Sequence, residues 1–527
     1  METILPYLPL PMRSSSPFGI WPSQAVKTLR ELGRGRVQSG HHLFLAISDL
    51  RNSLSLSSTP LAPNALHGYA LFFDQVMSRE KSRKWFEDVV PALANLLLRL
   101  PSLLETHYQN AHMDIDGHGA MLTTALRLLD SQQPGIVFLS QELIAALLGC
   151  SLFCLFPVKG RRVKHLPMIN FDKLFACLYD DNSRKQENKI WCIVHYFQRI
   201  SSDMPRGIVS FERKVLPLKN DSIHISYPDA NFWRTSGIPL CKFEVHSSGL
   251  IEDQSSDAVE VDFADPYLGG LALGKGCVQE EIRFMLSPEL IAGMLFLPAM
   301  ADNEAIEIVG VERFSTYTGY SKSFRFSGDY VDERDVDTLR RRKTRIVAID
   351  ALNRPGMSQY RENFLLREIN KAFCGFLYQC KYQPYKKILQ ENGFSSAPFD
   401  AAATTSMGTC ERKFSNNKIR SSQNDYHRMD QGNNIGVATG NWGCGVFGGD
   451  PEIKTIIQWL SASQALRPFI AYYTVGLEAL KNLDEVAHWI SSQRWTVGDL
   501  WKMLIEYSTN RSKGETNVGF FQWLRRG

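Results

Sequence analysis

The first two hundred residues carry apolar side chains at helical spacing. In residues 86–111, FEDVVPALANLLLRLPSLLETHYQNA, this periodicity predicts two helices divided at Pro101. The same spacing predicts helices in HGAMLTTALRLLDS (118–131) and IWCIVHYFQRIS (190–201). Few segments show the alternation expected of strands. Residues 1–205 are therefore predicted to form an all-helical accessory region.

One apolar segment is long enough to raise the question of a membrane span. Residues 136–156 read IVFLSQELIAALLGCSLFCLF, and Ser140, Gln141 and Glu142 interrupt them. The uninterrupted part is roughly 14 residues, fewer than the ~20 that cross a bilayer as a helix. The segment is therefore predicted to be a buried helix with Ser140 as its N-cap, and no membrane contact is expected.

The pattern changes after residue 205, where short segments rich in Val, Ile and Phe alternate with helical ones. This alternation predicts an α/β domain over residues 206–510. Asp450 followed by Pro451 predicts one helix start, and the Thr496/Asp499 spacing predicts a capping box at another. The predicted strands lie in RGIVSFERKV, CKFEVHSSGLIED, AVEVDFA, EAIEIVGVERF, TRIVAIDAL and RPFIAYYTVG.

Two further segments interrupt or follow this domain. Residues 393–436 are polar, poor in aliphatic side chains and without period, which predicts a disordered surface insertion. Residues 511–527 are assigned to a C-terminal tail.

Composition restricts the class of protein. A net charge of +4 over 527 residues gives no argument for bulk nucleic-acid affinity, so no direct DNA binding is expected. The 10 cysteines include no Cys-x-x-Cys pair, and the start of the chain lacks a basic signal-peptide region. Reduced thiols in the nucleus and/or cytoplasm are therefore expected, and secretion is not. The basic run RRRKTR (340–345) fits either a nuclear localisation signal or a solvated turn.

Candidate chemistry is concentrated in DFADPYLGGLALGKGCVQEEIRF, residues 262–284. Glycines allow backbone N–H groups to approach a ligand, so the loop is a candidate phosphate cradle. Glu280 and Glu281 follow it, and Asp262 precedes it at the end of a predicted strand. Clustered carboxyls suit glycosidic bond cleavage, where one acid protonates the leaving oxygen and a second stabilises positive charge. The alternative is that the glutamates are ordinary first-turn acids of a helix.

A second glycine loop, ATGNWGCGVFGGD (438–450), also leads into a predicted helix. Two such loops in one α/β domain fit a diphosphate held between them. ERFSTYTGY (312–320) fits either an aromatic wall for a nucleoside or an aromatic turn packed on the core.

The chain resembles the poly(ADP-ribose) glycohydrolases, and most closely their plant-type members. The family signature, a glycine triplet and then Gln-Glu-Glu, is present as GGLALGKGCVQEE (269–281). The similarity runs from ILPYLPLPMRSSS to TVGDLWKMLIEYS and omits only residues 393–436. Other matching motifs are VDFA, QEEIRFMLSPELI, ERFSTYTGY, RIVAIDA, REINKAFCGF and VATGNWGCGVFGGD.

The resemblance implies a macrodomain-like mixed sheet flanked by helices, and hydrolysis of the ribose–ribose bonds of poly(ADP-ribose) on poly(ADP-ribosyl)ated proteins. It implies Glu281 as general acid/base, Glu280 as the residue that orients the ribose, and Asp262 as support for both. It implies no metal and no cofactor. The substrate-binding residues it implies are Asp265, Gly269, Gly270, Gln279, Tyr320, Asn441, Trp442, Gly443, Cys444, Gly445, Val446 and Phe447.

Three positions depart from the family pattern. Leu271 replaces the third glycine, Asp265 replaces an asparagine, and Val475 replaces an aromatic residue. An added anion opposes phosphate binding, and a lost stacking ring costs roughly 1–3 kcal/mol per base. The alternative hypothesis is therefore a weak or inactive ADP-ribose-binding protein.

Overall fold

The computed structural model describes residues 4–11, 19–111, 113–115, 121–181, 183–218, 227–254, 257–378 and 435–525. The predicted insertion at 393–436 lies outside these ranges up to residue 434.

The first part of the chain is mainly helical, as predicted. Serine side chains cap four of its helices: Ser39, Ser78, Ser140 and Ser183 each accept a hydrogen bond from a backbone N–H of the first turn. The helices are α1 (Ser23–Leu32), α2 (Gly40–Ser53), α3 (Ala65–Ala70), α4 (Arg79–Lys84), α5 (Val90–Leu98), α6 (Leu100–Gln109), α7 (Gln141–Leu152), α8 (Asp172–Asp181) and α9 (Arg184–Ser202). Single π-helical turns, Leu71–Val76 and Trp85–Val89, extend α3 and α4.

The predicted division at Pro101 is confirmed, since α5 ends at Leu98 and Pro101 lies in the first turn of α6. The predicted helix over 118–131 is wrong. Residues 121–123 form a strand, and residues 124–134 are irregular. Tertiary contacts take the backbone groups that a helix would use, because Tyr108 donates to Leu126 O (2.7 Å) and Leu129 N–H donates to Phe296 O (3.0 Å).

An eight-stranded mixed sheet forms the centre of the molecule, in the order β3-β4-β7-β10-β6-β11-β12-β5. The five strands from β10 to β5 are parallel to one another, and the pairings from β3 to β10 are antiparallel. The strands are β3 (Gly135–Ser140), β4 (Ile208–Val215), β5 (Lys242–His246), β6 (Ala258–Ala264), β7 (Glu304–Val309), β10 (Arg345–Asp350), β11 (Gly436–Gly440) and β12 (Phe469–Tyr473). Two small antiparallel pairs lie outside it, β1 (Met113–Ile115) with β2 (Met121–Thr123) and β8 (Ser315–Thr318) with β9 (Arg325–Asp329).

The helical region is joined to this sheet through β3, which immediately precedes α7 and pairs with β4. The sequence did not indicate this strand, because its apolar run continues directly into the buried helix. The apolar segment 136–156 is therefore one edge strand followed by α7, with Ser140 as the N-cap.

Alternate residues of the central strands face two large hydrophobic cores. Ile346 and Ala348 pack in the first core, with the helical region and α11 (Gln279–Leu286). Val347 and Ile349 pack in the second core. The helices that contribute to the second core are α10 (Ala230–Arg234), α12 (Glu362–Phe376), α13 (Pro451–Gln464), α14 (Leu483–Ser492), α15 (Val497–Lys513) and α16 (Phe520–Leu524).

The predicted C-terminal tail is partly packed on the α/β domain. Phe520 and Phe521 of α16 are buried in the second core, and Phe521 N–H donates to Glu452 Oε2 (2.7 Å). Both predicted helix starts at Asp450 and Thr496 are confirmed, with side-chain hydrogen bonds at each cap.

Within the described ranges, no single helix is long and apolar enough to span a membrane. One pair, Arg79–Leu98 with Leu100–Gln109, meets the criteria of length and composition together and is bent by 48°.

Candidate active site

The candidate acids meet where β6 ends and α11 begins. Asp262 lies on β6, and Glu280 and Glu281 lie in the first turn of α11. Gln279 holds the two elements together, because its side chain accepts from Phe263 N–H (2.9 Å) and donates to Val261 O (3.1 Å). The glutamates are thus first-turn residues of a helix, and all three carboxyls are buried.

Glu280 is fixed by two backbone donors. Its Oε1 accepts from Gly269 N–H (2.7 Å) and its Oε2 accepts from Asp265 N–H (3.0 Å). Burial and the nearby Asp262 carboxyl raise the pKa of Glu280 well above its usual value, although the two N–H donors oppose that shift. This carboxyl is consequently held in one orientation and is easier to protonate than an exposed glutamate.

Glu281 lies between the helix and the first glycine loop, residues 269–276. Its Oε2 accepts from Val278 N–H (2.8 Å), which satisfies a donor at the helix start. Its Oε1 accepts from Leu271 N–H (3.1 Å) in the loop. The side chain is thus held from both sides, with its carboxylate at the loop.

Asp262 is the most isolated of the three acids. It is 1% exposed, and among the described residues neither of its carboxyl oxygens has a hydrogen-bond partner. Burial and the neighbouring Glu281 raise the pKa of Asp262 to about 8, against the opposing charge of Arg283. That arginine is itself paired with Glu260 (2.9 Å), so its charge is shared. Asp262 is therefore easier to protonate than an exposed aspartate.

Most N–H groups of the first glycine loop already have protein acceptors, contrary to the expectation of a phosphate cradle. Six of the eight in residues 269–276 donate within the protein, four of them being Gly269 to Glu280, Leu271 to Glu281, Gly270 to Tyr267 O (2.9 Å) and Ala272 to Gly269 O (2.8 Å). The N–H groups of Gly274 and Gly276 both donate to Leu271 O. The glycines are needed for close approach instead. A Cβ on Gly270, where φ is +48°, would lie 2.6 Å from Glu280 Oε2 and 3.0 Å from Glu281 Oε1.

A cavity of 690 Å³ opens beside the start of α11. A volume of this size is typical of a site for a small organic ligand. Gln279 and Tyr320 form part of its wall, while Asp262, Glu280, Glu281, Asp265, Gly269, Gly270 and Cys444 are not among the lining residues. The predicted residues that line it on the other side are Asn441, Trp442, Gly443, Gly445, Val446 and Phe447.

The second glycine loop, residues 441–449, differs from the first because it has consecutive N–H groups without protein acceptors among the described residues. In the described part of the chain, the N–H groups of Gly445, Val446 and Phe447 have no protein acceptor. Free N–H groups in consecutive loop positions are suited to phosphate oxygens. The loop is anchored at its start, because Asn441 donates to Thr474 O (2.9 Å) and accepts from the Tyr472 hydroxyl (3.2 Å).

Two predicted binding residues of this loop have a supporting position. The indole of Trp442 is fully buried and donates to Ile349 O (2.9 Å), so it anchors the loop from below. The Cys444 thiol lies 3.4 Å from Trp442 O, and burial raises its pKa above the usual range. It is therefore a protonated thiol.

The three departures from the family pattern differ in their consequences. Leu271 is 59% exposed and its backbone is outside the left-handed region, so the position does not require glycine, and its N–H donates to Glu281. Asp265 Oδ1 accepts from Tyr267 N–H (2.9 Å), an interaction that asparagine also makes. Val475 lines the cavity and has a φ of +51°, which is unfavourable for a β-branched residue.

Sequence reasoning missed several cavity residues. Tyr317 on β8 donates to Glu252 Oε1 (2.7 Å), and both line the cavity with Tyr473 at the end of β12. Of the aromatic residues in 312–320, Tyr317 and Tyr320 line the cavity, while Phe314 is buried in the first core. A sequence signal existed for Tyr473, because ligands of parallel sheets bind at the carboxyl ends of the strands.

In the ranges that the structure describes, no group of three or more His, Cys, Asp and Glu side chains is arranged to hold a metal ion.

Comparison with known proteins identifies both parts of the chain. The family model "Poly (ADP-ribose) glycohydrolase (PARG), helical domain" matches residues 77–213, and the model "Poly (ADP-ribose) glycohydrolase (PARG), Macro domain fold" matches residues 230–482. The predicted fold class is confirmed, while the predicted domain boundary at residues 205/206 stays a prediction.

Three curated relatives extend the match. Poly(ADP-ribose) glycohydrolase 1 of Arabidopsis thaliana is 54% identical over 550 residues, covering 99% of this chain and 96% of that protein. Probable poly(ADP-ribose) glycohydrolase 2 of the same plant is 53% identical over 531 residues, covering 99% and 98%. Poly(ADP-ribose) glycohydrolase 2 of Caenorhabditis elegans is 28% identical over 329 residues, covering 60% and 56%. The chain belongs to the poly(ADP-ribose) glycohydrolase family.

Proposed function

We propose that this chain hydrolyses the ribose–ribose O-glycosidic bonds of poly(ADP-ribose) and releases ADP-ribose. The observation that carries the proposal is the cluster of three buried carboxyls at the start of α11, next to a cavity whose lining also includes a loop with free N–H groups. Acids and anion donors around one cavity match a substrate with a glycosidic bond and a diphosphate. The two plant relatives, which align over nearly the whole chain, carry the same activity in their names.

Glu281 is the proposed general acid/base. It gives a proton to the departing ribose oxygen as the glycosidic C–O bond breaks, and positive charge develops on the ribose carbon. A water molecule then adds to that carbon and returns a proton to Glu281. Its two hydrogen bonds, to Val278 and Leu271, fix the carboxyl without occupying all of its lone pairs.

Glu280 and Asp262 have supporting roles in this proposal. Glu280 has its orientation fixed by Gly269 and Asp265, as is required of a group that orients the ribose at the scissile bond. The raised pKa values of Asp262 and Glu280 favour neutral carboxyls in the cluster. This limits charge repulsion in a pocket that takes an anionic substrate.

The other end of the substrate lies along the second glycine loop. Free N–H groups at 445–447 receive the diphosphate, with Phe447 beside the distal ribose and Tyr320 beside the diphosphate and adenosine end. Leu271 has an exposed side chain and a backbone that does not require glycine, and Asp265 makes a hydrogen bond that asparagine also makes. These observations do not favour the alternative of an inactive ADP-ribose-binding protein.

The test uses labelled polymer on the purified chain, with products resolved by size. The expected result is monomeric ADP-ribose, and a rate at least about 10²-fold lower for Glu281→Gln, within the range for loss of a general acid/base. Glu289→Gln is the control, because Glu289 is another buried glutamate, but it accepts from the Gln141 side chain (2.9 Å) and Glu312 N–H (2.8 Å) and has no hydrogen bond to the first glycine loop.

Full activity in Glu281→Gln would remove Glu281 from the proposed role. No ADP-ribose release by the unaltered chain would overturn the proposed function.

The proposed location is the nucleus and/or the cytoplasm. It is supported by the described cysteines, none of which forms a disulfide. The basic run gives little support for nuclear import, because Arg341, Arg342, Lys343 and Arg345 form ion pairs with acids of the folded domain. Contacts with poly(ADP-ribosyl)ated proteins, and the expected lack of DNA or membrane binding, stay predictions.

A further inference from the structure

A buried lysine of the helical region contacts the first glycine loop. Lys189 lies on α9 and is 0% exposed. Its Nζ donates to two carbonyls of the loop, Gly274 O (2.7 Å) and Gly276 O (2.5 Å). Lys185, one helical turn earlier, donates to the intervening Lys275 O (2.8 Å). Three consecutive carbonyls of the loop therefore bond to one face of α9.

The opposite side of the same loop touches Glu281. A Cβ on Gly276 would lie 2.4 Å from Glu281 Oε1, and Leu271 N–H donates to that oxygen. Gly276 N–H also donates to Leu271 O (3.2 Å), which connects the two contacts. A shift of the loop at Gly276 would consequently change the packing of Gly276 against Glu281 Oε1 and displace the Leu271 N–H that donates to this oxygen.

Burying the Lys189 ammonium costs free energy, because the charged group loses its hydration. Burial lowers the pKa of Lys189 to about 8, against the charges of Cys277 and Glu281. An ammonium removed from water needs good acceptors to offset its lost hydration, and two backbone carbonyls supply them. An apolar side chain would fill the space without that cost, but it would leave both carbonyls without a donor.

We propose that Lys189 is a positioning residue for Glu281, so that the helical region completes the active site of the macrodomain-like unit. This inference rests on the proposed function. Lys189 touches the loop and not the reacting atoms, so its removal loosens the carboxylate that the loop holds. The ADP-ribose site on the second loop has no contact with Lys189 and is left in place.

The test compares Lys189→Met with Lys214→Met in the full chain. Lys214 is the control, because it is 1% exposed on β4, donates to two carbonyls, Gly375 O and Leu377 O (both 3.0 Å), and also pairs with Glu307, so its removal disturbs the fold at least as much at another place. Lys189→Met is expected to lower kcat about 10²-fold, as a displaced catalytic group does. ADP-ribose Kd should stay within about threefold, the range of a substitution away from the site. Lys214→Met should retain kcat per folded molecule.

A second measurement does not depend on turnover. Amide hydrogen exchange of residues 269–276 should be about tenfold faster in Lys189→Met than in Lys214→Met, since local opening reports the lost contacts. If Lys189→Met does not accumulate in folded form, Lys189→Gln is measured by the same criteria.

Equal kcat and equal exchange in the two variants would overturn the inference, and so would a kcat loss matched by an equal loss of ADP-ribose affinity. If the unaltered chain releases no ADP-ribose, the proposed function fails instead, and the exchange rates still decide whether Lys189 holds the loop.

Discussion

The two glycine loops look alike in the sequence and differ in the use of their backbone. The first, residues 269–276, gives N–H groups to Glu280 and Glu281, and four more of its N–H groups bond to carbonyls of the loop or its flank. The second, residues 441–449, leaves the N–H groups of 445–447 without a protein acceptor in the described chain. Glycine richness therefore marks close backbone approach to carboxylates in the first loop, and in the proposed function it marks close approach to the substrate in the second.

The loops also differ in how they are held. A buried lysine lies beneath each, but Lys189 reaches the first loop from the helical region and bonds its carbonyls. Lys454 of α13 belongs to the same unit as the second loop, pairs with Glu368 and lies 4.1 Å from the Trp442 ring centroid. The conformation of the first loop thus depends on contacts with the helical region, whereas the conformation of the second loop depends on packing in the second core.

The largest expected effect is from Gly270→Ala in the first loop. The new Cβ would meet the Glu280 and Glu281 carboxylates at 2.6 and 3.0 Å, and φ there is +48°. Because either the loop or the acids must move, kcat should fall about 10²-fold or more. Steady-state kinetics on polymer of defined length measures this effect.

Gly274→Ala is the control in the same loop, since its Cβ would meet nothing closer than 3.6 Å and its φ is not in the left-handed region. An equal loss in both variants would show that the loop responds to any added methyl group and not to crowding of the acids.

A second prediction concerns the charge of the acid cluster. The pKa of Asp262 rises from 3.8 to about 8 on folding, so the folded chain binds a proton that the unfolded chain releases. Asp262 therefore stabilises the fold fully below pH 4, and this contribution is lost as pH rises towards 8. Asp262→Asn has no such dependence.

The free energy of unfolding of Asp262→Asn, relative to the unaltered chain, should increase from pH 4 to 8. The slope should not exceed about 1.4 kcal/mol per pH unit. Denaturant titrations at several pH values measure it, and a difference that is constant with pH would contradict the raised pKa of the buried carboxyl.

Local sequence patterns predict part of the fold and of the candidate site. The strand series after residue 205, the helix caps and the acids at the start of α11 follow from local patterns. The assignment of donors does not, because only the folded chain shows that Gly269 and Leu271 N–H groups point at carboxylates. Strand β3 and the irregular segment 124–134 were missed for a related reason, since their backbone partners lie far away in sequence.

A third prediction concerns Val475, which lines the cavity together with residues of the second loop. Val475→Phe adds a ring and removes β-branching from a position with a φ of +51°. ADP-ribose should bind more tightly by about 1 kcal/mol, or roughly fivefold, the lower end for stacking on a base. Calorimetric titration gives the affinity. Val475→Gly separates the two causes, since it relieves the backbone without a ring, and an equal gain there would exclude stacking.

The smallest effect is expected at the position that departs most visibly from the family signature. Leu271 contributes its N–H to Glu281 while its side chain is 59% exposed, and its backbone does not need glycine. Leu271→Gly should therefore change kcat by less than about twofold, the range of an ordinary surface substitution. Leu271→Pro removes the N–H and should lower kcat well beyond that. If Leu271→Gly raises kcat severalfold, the leucine side chain hinders turnover. The two loops would then differ in how they admit substrate, and not only in how their N–H groups are used.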